Sequence, residues 1–297
     1  MKPTAASMPV ADARRPTRWP AAARAARIIH PFPTLLNVAA TAGLAFVAAA
    51  GSPDVSTLVR MMIVMFCAQS AIGITNDLFD RDLDARAKPW KPLVSGLLSP
   101  STAMLLDAAL IAVTMIIAAT LGVASFALAM LGLACGLAYD AWFKRSPLSA
   151  LPFMVAIPTL PLWVWATLDE WHGVLWWVIP LGALVGLSLH LANTLPDIDD
   201  DAAYGVRGLA HRLGARGSAA IGWSSFAAAL LLSLVLAFVL DYDLRVYAPA
   251  AIAGAALLVG SIIFYAARRD AFALQAGFGA IGIASAVVAV GWLAAVT

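Results

Sequence analysis

The sequence predicts an all-α integral membrane protein, a bundle of nine transmembrane helices around a central cavity. Apolar residues make up 62% of the 297-residue chain and charged residues only 12%, whereas soluble domains are about 25% charged. The apolar residues also gather into runs of about 20, the length that a helix needs to cross a bilayer. Strict alternation of apolar and polar residues, which a transmembrane β-barrel would need, is absent.

Nine apolar runs give the predicted spans. They lie near residues 34–51, 56–76, 101–121, 124–141, 148–168, 172–193, 217–240, 246–266 and 272–295. Arg60 lies near the start of the second run, from which its long side chain can reach the interface. Asp107 lies inside the third run, so either it finds a partner within the bundle or the helix starts later.

The basic residues predict the orientation of the bundle. With the N-terminus in the cytoplasm, 17 of the 19 Lys and Arg residues fall on the cytoplasmic side, and only Arg60 and Arg245 fall toward the other side. This asymmetry is what the positive-inside rule requires. We therefore expect a multi-pass protein of the cell membrane, with its N-terminus inside and its C-terminus outside.

Residues 1–29 are predicted to be a basic cytoplasmic tail, and residues 30–297 the transmembrane domain. The tail is rich in Ala, Arg and Pro and lacks the apolar core of a signal peptide. Arg24 and Arg27 beside Ile28 and Ile29 fit a short helix lying at the membrane interface. A disordered basic tail explains residues 1–20 equally well.

Two acidic clusters interrupt this apolar chain with one shared spacing. The first runs from Asn76 to Asp84 and the second from Asn193 to Asp201; together they hold eight of the 17 acidic residues. An acidic side chain deep in a membrane costs roughly 2.5–3.5 kcal/mol, so the clusters indicate a function. Because Mg²⁺ prefers carboxylate oxygens and shares its shell with substrate phosphates, we predict a metal–phosphate site on the cytoplasmic side.

Helical geometry selects the ligands within each cluster. At about 100° per residue, the first cluster places four side chains on one face: Asn76, Asp77, Asp80 and Asp84. Asp82 and Asp199 project away from the shared faces. The predicted metal ligands are Asn76, Asp80, Asp84, Asn193, Asp197 and Asp201. Solvated loop caps would explain one such cluster equally well, but two with matching spacing favour the metal site.

The two clusters and their flanks resemble the signatures of the UbiA superfamily of intramembrane prenyltransferases. The first signature is Asn76-Asp77-x-x-Asp80-x-x-x-Asp84 followed by Lys88-Pro89-Trp90-Lys91-Pro92; the second is Asp197-x-x-x-Asp201 followed by Gly205-Val206-Arg207. The resemblance extends from about His30 to the end of the chain. It implies a Mg²⁺-dependent enzyme that transfers a prenyl group from an allylic prenyl diphosphate to an acceptor, commonly an aromatic ring.

The resemblance also implies roles for further residues. The diphosphate would be bound by basic or hydroxyl groups near the clusters: Lys144, Arg207, Tyr139, Lys88 and Lys91. Asp77 and Asp84 are the catalytic candidates, which would orient the acceptor or take its proton. The positive-inside rule alone also accounts for most of these basic residues.

The chain departs from the family pattern in several places. Gly208 and Ala210 stand where Thr and Pro are frequent, and Trp90 stands where a polar residue is usual. His30-Pro31 lies near the family's early Arg-Pro, with Arg27 one turn earlier. These departures predict an acceptor pocket that does not match that of well-known members.

Two alternatives to the enzyme are a cation-binding membrane transporter and a non-catalytic isoprenoid-binding protein. Transporter sites tend to lie at the membrane midplane, whereas both clusters end spans on one side. The predicted partners are a prenyl diphosphate, a lipophilic or aromatic acceptor and membrane lipid, with no nucleic acid. Hydroxybenzoate-like and naphthoate-like aromatics, a lipid alcohol and a carotenoid end all remain open as acceptors.

Overall fold

The computed structural model describes residues 20–198 and 207–296, and within these ranges the chain is helical, without strands. The α-helices are α1 (Ala21–Ala25), α2 (Pro31–Ala48), α3 (Val55–Phe79), α4 (Arg81–Ala87), α5 (Pro100–Ala119), α6 (Val123–Ala141), α7 (Leu151–Leu168), α8 (Val178–Thr194), α9 (Leu209–Val239), α10 (Leu244–Arg268) and α11 (Ala271–Val296). Apart from the short α1 and α4, these helices account for nine candidate membrane spans in the described ranges. The predicted fold class is confirmed.

Side-chain caps define where several spans begin. The side chains of Asp54, Ser99 and Asp243 accept hydrogen bonds of 2.8–3.0 Å from main-chain N–H groups two or three residues later. Each bond satisfies one of the N–H groups that the first turn of a helix leaves unpaired. The predicted tail is described only from Pro20, and α1 and the following 3₁₀ turn (Ala26–Ile29) occupy the proposed interfacial segment.

The seventh span starts earlier than predicted and contains a kink. α9 begins at Leu209 rather than near residue 217, and Gly214 within it has a φ of 69° and a ψ of 168°. This backbone conformation is open to glycine and strained for other residues. A short helical piece that starts at Leu209 therefore precedes the kink.

Two charged residues within predicted spans, Asp107 and Arg60, have partners inside the bundle. The Thr75 hydroxyl donates to Asp107 Oδ2 at 3.0 Å, so Asp107 is partnered within the bundle while α5 starts near the predicted position. Arg60 donates to the main-chain oxygen of Thr120 at 3.1 Å. That oxygen follows the end of α5, where a cation also complements the helix dipole.

Close backbone approach between α7 and α8 leads to a first prediction. A Cβ atom at Gly186 would lie 2.4 Å from the main-chain oxygen of Phe153, so Gly186→Ala should lower the free energy of unfolding by about 1–3 kcal/mol through overpacking. Gly260→Ala is the matched control, since nothing lies within 4 Å of its added methyl group. Thermal unfolding in detergent tests this, and equal stability of the two variants would contradict the close approach.

Candidate metal–diphosphate site

The first acidic cluster lies where α3 passes into α4. Asp77 lies in the last turn of α3, Asp80 separates the two helices, and Asp84 lies in α4. These three side chains are only 2%, 5% and 3% exposed, whereas Asp82 is exposed. The distribution follows the helical face expected from the spacing, because helical hydrogen bonds continue across the junction, from Asp80 N–H to Asn76 O at 2.9 Å and from Asp84 N–H to Asp80 O at 2.7 Å.

Lys91 pairs with two of these carboxylates. Its Nζ atom lies 2.7 Å from Asp77 Oδ1 and 2.5 Å from Asp84 Oδ2. Burial by itself would lower the pKa of Lys91, but the two carboxylates outweigh it and raise the pKa. Burial raises the pKa of Asp84 despite the bond to Lys91. Lys88, also predicted to bind diphosphate, caps the end of α4 nearby and is partly buried.

A second group of contacts surrounds Asp80. Asn76 Nδ2 donates to Asp140 Oδ1 at 2.9 Å and to Asp80 Oδ2 at 3.3 Å. The ammonium group of Lys144 also donates to Asp80 Oδ2, and an Arg145 nitrogen lies 3.8 Å from Asp80 Oδ1. Lys144, predicted to bind diphosphate, therefore contacts one of the predicted metal ligands across 64 residues of sequence.

Sequence reasoning assigned no role to Asp140, the buried acid at the end of α6. It is 6% exposed, and its Oδ2 atom is buried without a hydrogen-bond partner. An acid that ends an apolar run was the signal available in the sequence. Since the amide nitrogen of Asn76 faces two carboxyl groups, its carbonyl oxygen is left for another partner, such as a cation.

The loop after α6 connects the first cluster to the segment that follows the second. A Cβ atom at Gly208 would lie 2.8 Å from the main-chain oxygen of Lys144, so only glycine permits this approach without a shift. The Leu209 N–H donates to Ser149 Oγ at 2.9 Å. Arg207, which is exposed, directly precedes Gly208. The backbones that carry Lys144 and Arg207, two of the predicted diphosphate-binding cations, therefore meet at one place.

Tyr139 lies beside this loop within a group of rings. Its ring centroid is 5.1 Å from that of Phe153 and 5.8 Å from that of His190. His190 is 1% exposed, and its Nε2 atom lies 2.9 Å from Ser149 Oγ. These contacts hold α6, α7 and α8 together beneath Lys144. The bond from Tyr139 to phosphate stays a prediction.

The second cluster is only partly described. Asn193 lies in the last turn of α8 and is exposed. The chain then tightens into a 3₁₀ turn, Leu195–Asp197, which advances about 120° per residue instead of 100°. The backbone of this segment is therefore wound more tightly than the continuous α-helix that the predicted spacing assumed. The side chain of Asp197 and all of Asp199 and Asp201 lie outside the described residues.

The chemistry of the first cluster fits a hard cation. Four buried carboxyl groups, those of Asp77, Asp80, Asp84 and Asp140, face the two largely buried ammonium groups of Lys91 and Lys144. In the described part of the chain, no three acidic, His or Cys side chains are close enough to hold a metal by themselves. Mg²⁺ usually takes one or two carboxylates and completes its shell with water and substrate phosphate, so a partial set of ligands suits it.

The sequence matches the model of a known protein family over most of its length. Residues 36–281, which include both clusters, match the model of the UbiA prenyltransferase family. The chain belongs to the UbiA prenyltransferase family. The predicted family and the predicted enzyme class are thus confirmed, and the comparison favours an enzyme over a transporter or a non-catalytic binding protein.

Curated relatives in the UbiA family include two kinds of prenyltransferase. The 4-hydroxybenzoate octaprenyltransferase of Vibrio atlanticus is 28% identical over 191 residues, which cover 62% of this chain and 66% of the relative. The digeranylgeranylglyceryl phosphate synthase of Natronomonas pharaonis is 28% identical over 209 residues, which cover 69% of this chain and 75% of the relative.

Solved structures of UbiA homologues share the fold. A homologue from Archaeoglobus fulgidus superposes with a TM-score of 0.72 at 17% identity, covering 92% of this chain and 100% of that one. A structure of a UbiA homologue from the same organism bound to GPP and Mg²⁺ gives a TM-score of 0.71. At this identity the likeness establishes the fold and leaves the acceptor open.

Proposed function

We propose that this protein transfers a prenyl group from an allylic prenyl diphosphate to an acceptor within the membrane, and that it requires Mg²⁺. The observation that supports this most is the buried junction of α3 and α4. There, Asp80 and Asp84 are paired with Lys144 and Lys91, and the segment that carries Arg207 packs on the Lys144 loop.

The residues divide between metal and diphosphate. We assign Mg²⁺ to Asn76, Asp80, Asp84, Asn193, Asp197 and Asp201. Bound Mg²⁺ would neutralise the charge that develops on the departing diphosphate. Lys144, Arg207, Tyr139, Lys88 and Lys91 would contact the diphosphate, because a lysine that now pairs with a carboxylate can exchange it for a phosphate oxygen. The surrounding apolar helices would keep water from the allylic cation.

We propose an acceptor that carries a hydroxyl group, most simply on an aromatic ring. One kind of curated relative is named for 4-hydroxybenzoate, a phenol, and the other for a glyceryl phosphate. Asp77 and Asp84 lie together around Lys91, and we assign both to the acceptor side of the reaction.

The test uses membranes from cells that express the protein, supplied with radiolabelled geranyl diphosphate and 4-hydroxybenzoate. A labelled product that forms with Mg²⁺ and disappears when EDTA is added would support the proposal. Membranes from cells without the gene control for host enzymes. Free geraniol without any prenylated product would show that geranyl diphosphate is cleaved but that 4-hydroxybenzoate is not the acceptor. A lipid extract of the same membranes would then be added as the source of an acceptor of another class. A wild-type protein that neither cleaves geranyl diphosphate nor forms any product would refute it.

We further propose that the site faces the cytoplasm, which gives a second prediction. The 17-to-2 split of basic residues places the connection after α7 and the C-terminus outside. Alkaline phosphatase fused at Trp171 or at the C-terminus should therefore be active, since that enzyme works only outside the cytoplasm. Fusions to a fluorescent protein that folds only in the cytoplasm provide the reciprocal measurement. Cytoplasmic signals from both positions would reverse the orientation.

A further inference from the structure

His30 has an unusual backbone conformation at the start of the bundle. It joins the 3₁₀ turn before it to α2 with a φ of 47° and a ψ of 66°, in the left-handed region. Residues other than glycine adopt this region rarely, and such strain is concentrated at sites where it serves a function. The conformation turns the His30 ring toward α3.

The histidine ring lies against a glycine and points at an aspartate. A Cβ atom at Gly73 would stand only 3.0 Å from the His30 ring, so the missing side chain makes room for it. His30 Nε2 lies 2.8 Å from Asp77 Oδ1, and Asp77 is 2% exposed and bonded also to Lys91. Because an ionised carboxylate only accepts hydrogen bonds, we assign the proton to Nε2. In this tautomer the other ring nitrogen, Nδ1, carries the lone pair that can accept a proton.

A cavity of about 240 Å³ opens beside this pair. Its wall includes Arg27, His30, Phe32, Asp77, Trp90 and Lys91. The His30 side chain is 30% exposed, while Phe32 and Trp90 are 78% and 56% exposed at the surface of the bundle. An apolar cavity of about 150 Å³ can hold benzene, so this space suits the ring or head group of one acceptor. Lys91 lies between the cavity and Asp84.

We propose that His30 is the general base that takes the hydroxyl proton of the acceptor, with Asp77 as its positioning residue. This inference rests on the proposed prenyl transfer. The acceptor O–H bond breaks, and its proton moves to Nδ1 of His30. The electron pair of that bond allows the oxygen, or a ring carbon, to bond to the allylic carbon, while the diphosphate leaves with the electrons of the broken C–O bond. Where a ring carbon attacks, its C–H bond breaks afterwards and the electrons of that bond restore the aromatic ring; this proton goes to solvent, and the proton on His30 returns to the oxygen. Asp77 fixes the tautomer and stabilises the imidazolium, as in other Asp–His pairs.

The proposed pair of His30 and Asp77 (the dyad) predicts that a His30 variant loses prenyl transfer but keeps ionisation of the prenyl diphosphate, whereas loss of structure would remove both. His30→Asn removes the base but keeps a residue that tolerates a positive φ. Prenyl transfer to 4-hydroxybenzoate, or to the acceptor that wild-type membranes reveal, should fall by at least about 100-fold. The rate at which geranyl diphosphate releases diphosphate without an acceptor should stay within about threefold of the wild-type rate, because cleavage of the C–O bond does not use the base. His172→Asn, at the opposite end of the bundle, is the control for loss of a histidine and should change neither rate.

His30→Gly provides the second test, since glycine adopts the observed φ without strain and leaves space for a small base. Added imidazole should raise the prenyl-transfer rate of His30→Gly by at least about tenfold. It should not raise the rate of Asp80→Ala. Transfer that is unchanged in both His30 variants, transfer and ionisation that fall together, or a lack of imidazole rescue would each overturn the dyad. A wild-type protein without either reaction would instead overturn the proposed function itself.

Discussion

Replacing Asp80 by alanine should lower kcat for prenyl transfer by at least about 100-fold, the loss typical when one group that stabilises leaving-group charge is removed. Asp80 is 5% exposed, and it contacts Asn76, Lys144 and Arg145. No other residue joins these two cations to the first cluster among the described contacts. The measurement is the steady-state rate with saturating prenyl diphosphate and acceptor, with protein folding checked by thermal unfolding.

Asp82→Ala is the matched control for this variant. It removes the same chemical group two residues away, but Asp82 is exposed and lies off the ligand face. An exposed substitution of this kind usually changes the free energy by less than about 0.5 kcal/mol, so the rate should stay close to that of the wild type. Equal losses of kcat in Asp80→Ala and Asp82→Ala would show that the rate depends on the negative charge of this segment and not on which helical face carries it.

Replacing Lys91 by methionine should cost about 3–5 kcal/mol of unfolding free energy, because two buried carboxylates lose their shared cation. The Lys91 side chain is 16% exposed, and its partners are almost fully buried. Methionine keeps most of the length of the side chain without the charge. The measurement is the unfolding midpoint in detergent, and Arg81→Met, which changes an exposed cation of α4, is the control.

The Lys91 variant also tests what the carboxylates bind. If they can hold a divalent cation, Mg²⁺ should raise the unfolding midpoint of Lys91→Met more than that of the wild type, since a ligand that binds only the folded state stabilises it. For the stability prediction itself, equal unfolding midpoints of Lys91→Met and Arg81→Met would show that the ion pairs of Lys91 contribute little to the stability of the fold.

The sequence predicts most of the fold because the bilayer imposes it. Helices that cross the same apolar thickness must have similar lengths. Eight of the nine predicted spans begin and end within about four residues of the observed spans, where the span of α8 includes the 3₁₀ turn Gly173–Trp177 before it. The seventh differs, since Gly214 interrupts α9 through its backbone conformation, which hydropathy does not record. The burial of Asp77, Asp80 and Asp84 likewise follows from helical period alone.

The partners of these acids could not be read from the sequence. Lys144 contacts Asp80 from 64 residues away, and only the packing of α6 beside α3 brings the two together. His30 was noted as a departure from the family pattern, but its bond to Asp77 depends on a positive φ and on the open surface at Gly73. Such contacts arise from tertiary structure, and local periodicity carries no information about them.

The most direct test of the account is to locate the metal. Crystals grown with Mn²⁺ and an unreactive prenyl thiodiphosphate can be measured at the manganese absorption edge, where anomalous density marks the ion. We predict density between the two acidic clusters, within about 2.0–2.3 Å of carboxylate oxygens that include Asp80, with Lys144 turned from Asp80 to the diphosphate. A diphosphate bound elsewhere, or bound between the clusters without any metal, would contradict the account.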